Sequence, residues 1–160
     1  MRRAAEHHAV MAALSEHDEQ ACVVEYVQVR YPDALIWATP NGGHLAGNIG
    51  RRSAQINKLK REGLLPGVSD LIIFEPRGGY SALFIEMKRA NGGSGASEGQ
   101  MWFIREVEKR GAIGFVCNGA GEAITVIDDY LNGRTVKDAG QETVQVCSEC
   151  GCYHSEFTRC

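Results

Sequence analysis

Pro66-Gly67-Val68-Ser69-Asp70-Leu71-Ile72-Ile73-Phe74, followed sixteen residues after Asp70 by Glu86-Met87-Lys88, decides how this chain is read. Asp70 opens one apolar run, Leu71 to Phe74. Glu86 and Lys88 close another, Ala82 to Ile85. Runs of this length bounded by turn residues read as buried strands. Side chains alternate along a strand, so Glu86 and Lys88 point to one face. If the two strands pair as a hairpin through Pro76-Arg77-Gly78-Gly79-Tyr80, Asp70 comes near Glu86. Clustered carboxylates suit a hard divalent cation such as magnesium. A lysine beside them can orient a water or stabilise charge on a phosphate. The bland alternatives are a turn residue for Asp70 and an exposed ion pair for Glu86 and Lys88.

Working outward, the spacing predicts a helix over 18–30, with an apolar stripe of Cys22, Tyr26 and Val29 widened by Val23 and Val27. A strand follows over 34–38. Thr39-Pro40-Asn41-Gly42-Gly43-His44 is a loop, and 50–62 is a basic helix stopped by Gly63. Strands are expected over 70–75 and 81–88, then a flexible loop over 91–95. Ser97-Glu98-Gly99-Gln100 fits a capping box that starts a helix running to about Arg110. A strand over 113–117 and a closing helix over 121–131 complete an α/β pattern with a mixed sheet flanked by helices. The divisions expected are an arm over 1–16, one domain over 17–133 and a cysteine-rich tail over 134–160. No repeats are present.

Hydrophobic residues make up 44% of the 160 positions and charged residues 23%, as in a globular protein. No apolar run approaches a membrane span, and no secretory signal is evident, so a cytoplasmic protein is the expectation. The net charge of −3 is unusual for a bulk DNA binder, so nucleic-acid contact must rest on local charge. Arg51, Arg52, Lys58, Lys60 and Arg61 fall within eleven residues that contain no acid. A solvated helix face is the plain reading of such a run. Beside the carboxylates it reads as a phosphate contact, which makes binding salt-dependent.

Asp70, Glu86, Met87 and Lys88 resemble the PD-(D/E)XK nuclease superfamily. With Gly67-Val68-Ser69-Asp70, Phe84-Ile85-Glu86-Met87-Lys88 and Gln100 two residues before Trp102, the chain is similar to the VRR-NUC domain over roughly residues 20–131. The resemblance implies a restriction-endonuclease-like core and hydrolysis of DNA phosphodiester bonds with magnesium or manganese. It implies metal ligands at Asp70, Glu86 and the Met87 main-chain carbonyl, with Glu25 as a direct or water-mediated ligand. It places Gln100 beside the active site and Asn41 in a loop that touches DNA. Small members of this kind look like phage or bacterial enzymes acting on branched DNA, including homodimeric Holliday-junction resolvases. Nucleases of flaps or duplex, and a non-catalytic DNA-binding module, are the alternatives.

The tail lies outside the resemblance. Four of the six cysteines fall in the last fourteen residues. Cys147-x-x-Cys150 is a zinc half-site, and two of Cys152, His154 and Cys160 would complete it. A disordered thiol tail and a disulfide are the alternatives. Cys22 and Cys117 lie on apolar elements and read as core residues.

Overall fold

A computed structural model describes residues 15–39, 49–90, 95–134, 145–146 and 153–154. In chain order the elements are α1 (Glu16–Arg30), β1 (Ile36–Ala38), α2 (Ile49–Arg61), β2 (Leu71–Ile73), β3 (Leu83–Lys88), α3 (Glu98–Glu108), β4 (Ile113–Asn118) and α4 (Gly119–Leu131). A short antiparallel pair, β5 (Gln145–Val146) and β6 (Tyr153–His154), follows.

The first four strands form one sheet in the order β1-β2-β3-β4. β1 and β2 pair antiparallel, as do β2 and β3, while β3 and β4 run parallel. The expected mixed sheet is therefore present, and 70–88 forms the expected antiparallel pair. Leu71 is registered with Ile85, so Asp70 stands opposite Glu86 one residue beyond the ladder. On β3, Leu83, Ile85 and Met87 enter the core cluster shared with Val23 and Val27 of α1 and Ile124 and Ile127 of α4. Phe84, Glu86 and Lys88 take the other face by alternation. There Phe84 meets Phe103 of α3 edge-on, with ring centroids 5.6 Å apart. At Gly114 an added Cβ would come 2.8 Å from Ile104, so the glycine lets α3 sit close against β4.

The helix expected from Asp18 begins two residues earlier because Ser15 caps it. The Ser15 hydroxyl accepts from the Asp18 N–H, and the Asp18 carboxylate accepts back from the Ser15 N–H. Its buried stripe also differs from expectation. Glu19, Val23 and Val27 are buried, at i, i+4, i+8 spacing, whereas Val29 is 79% exposed. Cys22 and Tyr26 flank the buried line as partly buried residues. Tyr26 and Tyr31 both donate their hydroxyls to Asp128, which ties α1 to α4. α3 covers only the β3–β4 part of its face. Leu35, Trp37 and Phe74 stay exposed on the other part.

Among the described residues no helix is long and apolar enough to cross a membrane.

Candidate metal and nucleic-acid site

The site forms where β2 begins and β3 ends. Two hydrogen bonds from Thr39, just past β1, hold the loop before β2: its N–H donates to the Asp70 carbonyl at 2.9 Å and its hydroxyl to the Ser69 carbonyl. Asp70 is only 8% exposed, and its Oδ2 accepts the Met87 N–H at 2.8 Å. That bond stands in for the ladder bond β2 can no longer supply. A strand residue directs its N–H and C=O to the same neighbouring strand. The Met87 carbonyl is thereby turned to the Asp70 side.

Glu86 is 1% exposed. Its Oε1 accepts from Lys88 Nζ at 2.6 Å and from Gln100 Nε2. Its Oε2 is buried with no hydrogen-bond partner. The Glu86 carboxyl is pushed up to about 7, chiefly by burial, with the Lys88 bond and charge opposing and the Asp70 charge and a hydrogen bond with Asp70 adding to the rise. Gln100 belongs to α3, where its Oε1 accepts the Ser97 N–H at 2.7 Å. The residue thus serves the capping box and the carboxylate together.

A buried carboxylate oxygen without a donor has an open valence that a cation can fill. The donor set is all oxygen, the chemistry of magnesium and manganese. Asp70, Glu86 and the Met87 carbonyl therefore fit a divalent ion. Among the described residues no group of three or more His, Cys, Asp or Glu side chains is suited to a metal. The set is two carboxylates and a main-chain oxygen.

Glu25, which the resemblance implies as a direct or water-mediated ligand, is exposed on α1. The carboxylate that α1 buries is Glu19, 3% exposed, whose Oε2 accepts the Ala120 N–H at the start of α4 at 2.8 Å. An N-terminal helix dipole suits that negative charge. An added Cβ at Gly119, where φ is +83°, would stand 2.6 Å from Glu19 Oε2 and 2.7 Å from Ala90. Glu19 therefore sits at the Lys88 end of the sheet, on the face opposite Glu86. Its signal in the sequence was the i, i+4, i+8 spacing with Val23 and Val27.

Arg52, Lys58, Lys60 and Arg61 are exposed along α2. Lys58 lies 3.7 Å from Glu62, an exposed pair of little energetic weight. The Arg51 backbone lies in α2, and its side chain is outside the described residues. Asn41, Cys147, Cys150, Cys152 and Cys160 lie outside them too, and of His154 only the β6 backbone is described. A cleft lined by Arg30, Tyr31, Asp33, Glu75 and Arg77 opens at the opposite end of the sheet, away from the carboxylates.

A family model for the VRR-NUC domain matches residues 14–121. A solved structure of a VRR-NUC domain protein is 27% identical, with a TM-score of 0.61, over 76% of this chain and 92% of that one. No curated protein matches.

Proposed function

The chain belongs to the VRR-NUC domain family, a nuclease-type domain, and on that premise we propose that it is a magnesium- or manganese-dependent endonuclease of branched DNA that works as a homodimer. The observation that carries the metal reading is the buried Glu86 Oε2, which lacks a donor while Oε1 holds two. Asp70, Glu86 and the Met87 carbonyl would hold the ion. When bound, it supplies Lewis acidity toward a phosphate oxygen and a more acidic water. Asp70 is oriented by the Met87 N–H, so its rotamer is set before any ligand arrives. Lys88 keeps its ammonium on Glu86, with 12% of the side chain open to solvent. From there it carries positive charge to the negative charge that grows at phosphorus during attack. Gln100 holds Glu86 from the α3 side. Glu25, exposed on α1, would take part through water or at a second ion.

Arg52, Lys58, Lys60 and Arg61 of α2 are proposed to contact the phosphate backbone, together with Arg51 and Asn41. Two symmetric cuts at a junction need two sites, and the described residues hold one carboxylate pair. A two-fold dimer supplies both. The exposed apolar patch of Leu35, Trp37 and Phe74 supports a protein contact on the bare part of the sheet. Cys147 and Cys150, with two of Cys152, His154 and Cys160, are proposed to bind a structural zinc.

The test is cleavage of end-labelled single strand, duplex, flap and four-way junction, with magnesium, manganese or EDTA. Asp70→Ala is the inactive control. Paired symmetric nicks on the junction, lost with EDTA and in Asp70→Ala, establish the reading. Cleavage of flaps or duplex instead replaces the substrate. Junction binding without any cleavage leaves a DNA-binding module. A Lys88→Met protein that cuts as fast as wild type removes Lys88 from the mechanism.

A further inference from the structure

We propose that Ser97 is a positioning residue of the nuclease site, acting through Gln100 on Glu86. The inference rests on the reading that Glu86 binds a divalent metal. Ser97 is the N-cap of α3, with φ −65° and ψ 161°. Its Oγ accepts the Gln100 N–H at 3.3 Å, and its own N–H donates to Gln100 Oε1 at 2.7 Å. A glutamine amide has one carbonyl oxygen and one NH2 group. With the oxygen committed to Ser97, the NH2 must face away from the cap, and there it meets Glu86 Oε1. An amide turned the other way would set oxygen against carboxylate and leave the Ser97 N–H unpaired. The capping box therefore selects the one orientation that helps Glu86.

The consequence reaches the carboxylate's free oxygen. Gln100 and Lys88 both use Oε1, so the carboxylate is held from one side and Oε2 is left open. Releasing Gln100 leaves one flexible lysine to do this alone. The cap is also fixed against the loop before β2. Gly67 has φ +85°, and a Cβ there would come 2.7 Å from the Gly99 carbonyl carbon and 3.1 Å from the Gln100 nitrogen. The turn that aims Gln100 at Glu86 thus rests against the loop that presents Asp70.

The plain alternative is that Ser97 only caps a helix. α1 supplies a matched control, because Ser15 and Asp18 form the same box, and Gln100 is no part of it. The experiment measures Mn2+ binding to the full chain without DNA, by electron paramagnetic resonance of free Mn2+, alongside thermal unfolding in EDTA. Ser97→Ala keeps the main-chain N–H that Gln100 Oε1 accepts but loses the Oγ that holds the Gln100 N–H, so the half of the box that clamps the cap is gone. It is expected to weaken Mn2+ binding about tenfold, the low end for residues that orient metal ligands. Ser97→Thr, which keeps the acceptor, is expected to stay within about twofold of wild type. Ser97→Gly guards against a folding failure, since glycine is a tolerable N-cap that lacks the oxygen; it should weaken Mn2+ binding as Ser97→Ala does. Ser15→Ala should lower the melting temperature and leave Mn2+ affinity unchanged. If Ser97→Ala and Ser97→Gly bind Mn2+ as wild type does, Ser97 is a cap alone and the inference is overturned, while the metal reading stands. If wild type binds no Mn2+, or Asp70→Ala binds it equally well, the metal reading fails and the inference falls with it.

Discussion

Glu86→Gln should make the metal-free protein more stable at high pH. In the fold the Glu86 carboxyl is pushed up to about 7, against 4.5 for an ordinary glutamate. At about 1.4 kcal/mol per pH unit of displacement, the ionised carboxylate costs the fold about 3 kcal/mol. The sign follows from proton counting. Below pH 4.5 the group is protonated in both states and costs nothing. Between 4.5 and about 7 the unfolded chain ionises while the fold holds its proton, so stability falls as pH rises. Above about 7 the loss is complete.

Glutamine removes this penalty and keeps an amide oxygen for the Lys88 and Gln100 donors. The Lys88 attraction is already contained in that displacement and takes nothing further from the gain. The expected gain is about 3 kcal/mol at about pH 8.5, vanishing near about pH 4.5. Urea unfolding in EDTA at several pH values measures it. Adding millimolar Mn2+ should reverse the order, because only wild type gains stability from the ligand. Parallel pH profiles for the two proteins in EDTA would refute the reasoning, since they would mean Glu86 titrates like an exposed glutamate.

Gly67→Ala should destabilise by about 2 kcal/mol, from a positive φ and a backbone collision with Gly99, and should slow cleavage by more than that loss explains; chemical denaturation and single-turnover kinetics separate the two. Replacing Arg52, Lys60 and Arg61 with alanine should weaken DNA binding and flatten its dependence on log salt by about 0.9 for each phosphate no longer neutralised; fluorescence anisotropy over a salt series measures both. Asp128→Ala should cost about 2 kcal/mol, since it strands the hydroxyls of Tyr26 and Tyr31, with cleavage unaffected once the protein is folded. One zinc per chain is expected by elemental analysis, falling to none in Cys147→Ser; a protein purified without zinc and equally stable would remove the proposed site.

Much of the fold was legible because its signals are local. Apolar runs at 71–74 and 82–85 and the Ser97–Gln100 box each act over a few residues. So did the alternation that sends Glu86 and Lys88 to one face. The antiparallel pairing that sets Asp70 opposite Glu86 follows from a short loop. What the sequence hid depends on which side of a helix meets the sheet. Val23, Val27 and Val29 look alike as letters, and only packing against α4 decides that Val29 faces out. The same rotation exposes Glu25 and buries Glu19. The double duty of Gln100 needs the height of α3 over β3, which Gly67 and Gly114 fix by their missing side chains. No pattern in the neighbouring residues encodes that height.

Among the described residues two buried glutamates, Glu19 and Glu86, lie at one end of the sheet, and they are treated in opposite ways. Glu19 Oε2 receives the Ala120 N–H at the positive end of α4 and has its demand met within the chain. Glu86 Oε2 receives nothing. Ser69 Oγ, one residue from Asp70, is the other buried side-chain atom without a partner among the described residues. Both orphans therefore lie at the Asp70–Glu86 end, beside the constrained Gly67. Among the described residues the buried side-chain atoms left open are gathered in one place, and the cost is concentrated there. Selection for stability alone would favour removing Glu86. That cost would be recovered when a cation and a phosphate arrive, which is why the metal-free Glu86→Gln protein should outlast the wild type it cannot replace.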